Sequence, residues 1–173
     1  MHFDKKEYTK LLNYILSNSY DKPHVGKTVI TTTLYFIDFN YYEAYGKSLT
    51  KETYQKHKKG INPMHFTKIT EELIEKNKIY FRKEAYYHTT LHKYYLTEIP
   101  SIKFSNKKIN IINTSMKQLI TKNATTIMKY ASKDPQYKNT DYNEEIDYNN
   151  VYFRDSRYSV SNPVNLRNSI LNF

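Results

Sequence analysis

The chain has 173 residues with 27 Lys and Arg against 17 Asp and Glu, a formal net charge of +10, and no cysteine. The missing cysteines exclude disulfides, thiolate metal sites and a cysteine nucleophile, and fit a reducing compartment. Only 3 Gly and 5 Pro favour helices over a turn-rich all-β fold, and one domain is expected at this length.

The start at Met1 shows no basic-then-apolar leader, and no apolar run is long enough to span a bilayer. A cytoplasmic protein with no membrane partner is the expectation. The charge is uneven. Residues 1–133 hold 23 basic against 11 acidic side chains, whereas 134–173 hold 4 against 6. A basic body with a mildly acidic end predicts that the end folds back on the body, or that the body meets an acidic partner.

In chain order, Asp4 and Glu7 have the spacing of a capping box. Tyr8, Leu11, Leu12, Ile15 and Leu16 follow on one helical face. Asp21-Lys22-Pro23 makes the connection. A second helix begins near Thr28, with Ile30, Leu34, Ile37, Tyr41 and Ala44 on one face and Tyr35, Phe39 and Tyr42 on the next. Apolar on most of its circumference, it belongs inside a bundle, and Gly46 is placed to end it in the left-handed conformation. Asp38 is the odd member of that helix. It is expected to accept a tyrosine hydroxyl or pair with a lysine, as a structural acid.

Ser48–Gly60 reads as a polar, basic connection. Asn62-Pro63 reads as the cap and first turn of a third helix, with Phe66, Ile69, Leu73 and Ile74 buried. From Ile79 to Thr97 the pattern becomes aromatic and β-leaning, predicting a hairpin with a turn at Thr89-Thr90. Ser105 caps a helix carrying Ile109, Ile112, Met116 and Leu119. Asn123 caps a shorter one that Asp134-Pro135 stops. Tyr137–Asn150 reads as a loop, Val151–Asp155 as a compact aromatic element, and Pro163–Phe173 as a short docking helix. The fold class is therefore mainly α (α+β): a bundle of about five to six helices with a small β-hairpin, spanning residues 1–155, with a tail at 156–173.

No assembled catalytic site is visible, and no enzyme is expected. His88 and His92 have helical metal-pair spacing, but they fall in the expected hairpin without further ligands. Gly26-Lys27-Thr28 echoes the end of a phosphate-binding loop without its first glycine. No cofactor or metal is expected. What remains is surface chemistry. Tyr54 with Lys56, His57, Lys58 and Lys59 forms a basic cluster suited to phosphates or to an acidic protein surface. Tyr86, Tyr87, Tyr94 and Tyr95 in the hairpin, and Tyr137 with Tyr152, Phe153 and Arg154 near the end, are the aromatic contact candidates, because such side chains concentrate interface energy.

The word order then resembles one family. Leu34-Tyr35-Phe36-Ile37-Asp38-Phe39, Tyr45-Gly46-Lys47-Ser48-Leu49-Thr50 and Thr53-Tyr54 are similar to a line of the Panacea domain. Glu72–Ile79 is similar to its following helix end, and Ile146-Asp147-Tyr148 with Val151–Asp155 to its final element. The family's Gly-Pro turn is stretched to Gly60-Ile61-Asn62-Pro63, Lys133 stands at the family's histidine, and Tyr137 stands at its tryptophan. The resemblance, which covers roughly Met1 to Asp155, marks a divergent member. It implies a mainly helical fold and a protein-binding antitoxin that neutralises a toxin; the mechanism expected for this chain is steric occlusion. Two alternatives stay open: a phage-borne or mobile-element inhibitor of a host defence nuclease or CRISPR effector, and a nucleic-acid-binding protein. A homodimer also stays open.

Overall fold

The computed structural model describes residues 2–161. Among them are helix α1 (Lys5–Ser17), α2 (Lys27–Tyr45), hairpin strands β1 (Tyr54–His57) and β2 (Gly60–Pro63), and α3 (Phe66–Glu75). Hairpin strands β3 (Ile79–Tyr86) and β4 (Thr89–Leu96) follow, then α4 (Asn106–Leu119), α5 (Ala124–Ala131), α6 (Pro135–Lys138) and a 3-10 helix (Tyr148–Phe153). The class is α+β. Six α-helices plus a 3-10 helix, and two antiparallel hairpins rather than one, exceed the expected count.

Helix α2 is the axis of the fold, and every residue from Val29 to Tyr41 is buried. Its Thr-Val-Ile-Thr-Thr-Thr start consists of weak helix formers. Burial on all sides outweighs that preference, since tertiary packing supplies most helical stability. Gly46 ends it at φ 66°, donating its N–H to the Tyr42 carbonyl at 2.7 Å. Ala44 departs from expectation, lying on the exposed end. Helix α1 packs Tyr8, Leu11, Leu12, Ile15 and Leu16 into the core as its spacing predicts. Asp4 caps it by accepting from the Glu7 N–H at 3.0 Å, while its own N–H goes to the Thr50 carbonyl rather than to Glu7.

Three local expectations are corrected. Asn62 and Pro63 belong to β2, where Pro63 pairs with Tyr54, and α3 starts only at Phe66. A proline is tolerated at the end of such a two-stranded edge because no ladder needs its missing N–H. The long hairpin turns at Tyr87-His88, not Thr89-Thr90. Tyr86 pairs with Thr89, and Tyr87 takes a positive φ of 51°. That register sets Ile79 opposite Leu96 and Phe81 opposite Tyr94, so the apolar residues at the hairpin base share one face. Asp134-Pro135 does not only stop α5. It starts α6, with Pro135 in the first turn, where its missing N–H is unneeded.

The acidic end does fold back. Residues 143–146 lie along β1: Asn143 N–H donates to the Lys56 carbonyl at 2.7 Å, Lys56 N–H to the Glu144 carbonyl at 3.0 Å, and Ile146 N–H to the Tyr54 carbonyl at 2.8 Å. Chain beyond residue 155 continues to pack. Tyr158 is buried and donates its hydroxyl to the Tyr130 carbonyl at 3.0 Å. The expected helix at Pro163–Phe173 lies outside the described residues. No helix among the described residues is long and apolar enough to cross a membrane.

Candidate functional site

Two buried polar clusters grow from α2, and they position the surfaces available to a partner. In the first, Asp38 is fully buried and accepts the Thr50 N–H at 2.9 Å, the Ser48 hydroxyl at 3.1 Å and the Tyr54 hydroxyl at 2.7 Å. The Thr50 hydroxyl completes the set. Burial pushes the Asp38 carboxyl above its ordinary value, and these donors pull against it. Tyr148, from the 3-10 helix, stacks on Phe39 with centroids 4.2 Å apart and donates its hydroxyl to the Glu52 carbonyl at 2.8 Å. Glu52 is buried in turn. It accepts the His65 N–H at 3.2 Å and faces the His65 Nδ1 at 2.8 Å, and burial raises its carboxyl too.

In the second cluster, Arg154 is held with no exposed side chain between two acids. Its Nε and Nη2 donate to Asp134 Oδ1 and Oδ2 at 3.2 and 3.0 Å, and its Nη1 donates to Glu43 Oε2 at 3.0 Å and Asn40 Oδ1 at 2.8 Å. Gln136 Nε2 and the Tyr35 hydroxyl add bonds to Asp134 Oδ2 at 2.7 and 3.2 Å. Burial works against the Arg154 charge, but Asp134, Tyr35 and Glu43 together outweigh it and raise the guanidinium above its ordinary value. The fork of arginine donors suits two separate carboxylates, which a lysine cannot match. Asn40 passes the network to α4 through Ser115 at 2.8 Å.

These clusters relocate three of the anticipated contact residues. Tyr54 has no exposed surface and serves Asp38. Arg154 is consumed by its two acids. Tyr137 is 7% exposed. None of them presents an open side chain in this fold. Lys56 is half-buried as well. Its ammonium donates to the Thr140 carbonyl at 2.6 Å and lies 4.8 and 5.0 Å from the Tyr137 and Tyr142 rings. It ties the acidic loop to β1 and does not project. His57, Lys58 and Lys59 are exposed at the tip of the short hairpin.

Of the long-hairpin aromatics, Tyr87 is 87% exposed at the turn, with Tyr86 half-buried against it at 4.8 Å between centroids. Tyr94 packs edge-on against Phe66, and Tyr95 stacks on Tyr80 and donates to Glu84 at 2.7 Å. Tyr152 and Phe153 are 61% and 76% exposed, immediately before the buried Arg154. Asp141, Glu144, Glu145 and Asp147 are exposed and form no ion pair among the described residues.

The structure also forms a cleft of about 830 Å³ that sequence reasoning missed. It is lined by Lys27 and Thr28 at the start of α2, His57 and Lys59, His92, and Thr125 at the start of α5. Its members come from four separate parts of the chain, α2, the short hairpin, β4 and α5, so no local motif announces it; the Gly26-Lys27-Thr28 echo marks one wall. No group of His, Asp or Glu able to hold a metal occurs among the described residues. A family model described as antitoxin SocA-like, Panacea domain, matches residues 32–138, from within α2 to the end of α6. No curated protein and no solved structure matches the chain.

Proposed function

The chain belongs to the antitoxin SocA-like Panacea domain family, and from that premise we propose that it neutralises a toxin by direct binding, occluding the toxin's working surface without catalysis. The carrying observation is the pair Tyr152 and Phe153, exposed by 61% and 76% on a helix whose two ends are anchored. At one end Tyr148 stacks on Phe39; at the other Arg154 is clamped by Asp134 and Glu43. Large aromatics held rigid lose little entropy on docking, which is the property of an interface anchor. The exposed acids at 141–147, which precede this helix in the chain, suit a basic partner surface, and Lys58, Lys59 and Tyr87 offer secondary contacts.

The test is co-expression with candidate toxins from the source genome, beginning with any encoded beside this gene. Wild type is expected to restore growth and to co-purify with the toxin. A double variant Tyr152→Ala, Phe153→Ala is expected to fold and to lose both. Growth arrest that persists with wild type, with no co-purifying protein, overturns the reading.

Nucleic-acid binding is a second reading, favoured by Lys27, His57, Lys59 and His92 around the cleft. It predicts an affinity that falls steeply with salt, and a smaller salt slope when Lys58 and Lys59 become Ala. An absence of salt-dependent binding removes it.

A further inference from the structure

The long hairpin has one covered edge and one open edge. On the β4 side, a Cβ added to Gly26 would stand 3.3 Å from both the His92 carbonyl oxygen and the Leu91 Cβ. Lys93 reaches across to the Lys22 carbonyl at 3.3 Å. On the β3 side, beyond the buried Ile79, the sheet stops, for among the described residues it has two strands only. A two-residue turn makes Tyr86 and Thr89 a hydrogen-bonded pair. The bond from Thr97 N–H to the Lys78 carbonyl at 2.9 Å keeps the same phase. Even-numbered β3 residues therefore bond inward, and the backbone groups of Phe81, Lys83 and Ala85 point out of the edge. Among the described residues, these groups have no backbone partner beyond the hairpin. Tyr80 and Phe81 are 39% and 37% exposed along this edge.

We propose that this edge pairs antiparallel with the same edge of a second copy, joining two hairpins into a four-stranded sheet across a two-fold axis. Outward-pointing groups must meet outward-pointing groups, which restricts the registers. Centred on Lys83, Arg82 stands opposite Glu84 of the second copy, Phe81 opposite Ala85, and Tyr80 opposite Tyr86, and each pair occurs twice by symmetry. Centred on Arg82 or Glu84, like charges face each other with no opposite-charge pair to offset them. Centred on Phe81, Arg82 faces Tyr80. Only the Lys83 register matches opposite charges. Glu84 already accepts from the Tyr95 hydroxyl at 2.7 Å and lies 3.5 Å from Lys93. A carboxylate has lone pairs left for the Arg82 fork. The two Lys83 side chains meet at the axis, where their length lets the ammonium groups diverge into water. An isolated two-stranded ribbon is weakly stable, and four strands relieve that.

The rival role for Arg82 and Lys83 is to keep the edge unpaired, since exposed charges are a common protection of sheet edges. Sedimentation separates the two. Wild type is expected to run at twice its 20.8 kDa mass. Lys83→Pro removes an outward N–H without breaking the hairpin ladder, and is expected to weaken association at least tenfold with an unchanged circular dichroism spectrum.

Because the chain has no cysteine, Lys83→Cys introduces a single thiol that faces its own copy. The spacing there is about 5.5 Å between Cα atoms, within the range a disulfide bridges. It is expected to cross-link under mild oxidation far faster than Lys58→Cys at the other hairpin's tip. Three results would overturn the proposal: a wild-type chain that stays at single mass at about 100 μM, open-ended assembly, or equal cross-linking of the two thiol variants.

Discussion

Arg154 and Asp134, twenty residues apart, meet in a two-bond ion pair at 3.0 and 3.2 Å with neither side chain exposed. The same guanidinium holds Glu43 on α2 at 3.0 Å. One side chain thus fastens the end of the 3-10 helix, the start of α6 and the central helix, and it does so one residue after the exposed Phe153.

Replacing Arg154 should therefore unfold more than it unbinds. Arg154→Ala leaves two buried carboxylates without their cation, a loss of about 3–5 kcal/mol. Arg154→Lys should recover little of it, because an ammonium cannot donate to both acids along fixed directions. Denaturant unfolding measures both. An Arg154→Ala loss below about 1 kcal/mol would show that the pair is not buried as described.

The surface aromatics should behave in the opposite way. Phe153→Ala and Tyr152→Ala lie outside the core and should change stability by no more than about 0.5 kcal/mol. If they anchor the toxin, at least one should cost about 2 kcal/mol of binding, roughly thirtyfold in Kd. Titration calorimetry with the purified toxin reads this directly, and wild-type affinity in both variants would move the interface elsewhere.

Asp38, Glu52 and Asp134 share a pH signature. Burial raises all three carboxyls above their ordinary values. The folded state then holds protons more tightly than the unfolded chain. The stability these groups contribute is fully present below the unfolded carboxyl range and is lost as pH rises through the raised folded values. The gap in stability between wild type and Asp38→Asn should accordingly widen as the solution is acidified from neutrality toward pH 4. At neutrality Asp38→Asn should still cost about 1–3 kcal/mol, since its amide nitrogen faces donors. Unfolding free energies measured across that range test it, and a gap that narrows on acidification contradicts the assignment.

Gly46 isolates backbone strain. Its φ is 66°, and a Cβ there would meet nothing within 4 Å. Gly46→Ala should lower stability by about 1 kcal/mol through the left-handed conformation alone. Gly46→Asn should cost less, because asparagine tolerates that region. Equal losses in the two variants would argue for a packing cause instead.

Much of this fold was legible in the chain because its signals are local. The face of α1, the all-round burial of α2, the Gly46 stop, the Asn123 cap and the aromatic hairpin each follow from spacing or conformational preference within one element. The order of the Asp38, Ser48, Thr50 and Tyr54 motif likewise carried the family. Periodicity does not say which surface a side chain finally occupies. Tyr54, Tyr137 and Arg154 read as contacts by their chemistry, yet they are buried because Asp38, Lys56, Asp134 and Glu43 arrive from distant positions to meet them. The turn of the long hairpin, the shift of Asn62-Pro63 into a strand, and the cleft between four elements were likewise decided by pairing and packing between segments. The sequence by itself determined what kinds of element form and which protein family they compose. Only the tertiary structure decided which polar groups are locked inside and which aromatics are left outside, because burial and pairing depend on neighbours up to 118 residues away, as with Ser161 and Glu43.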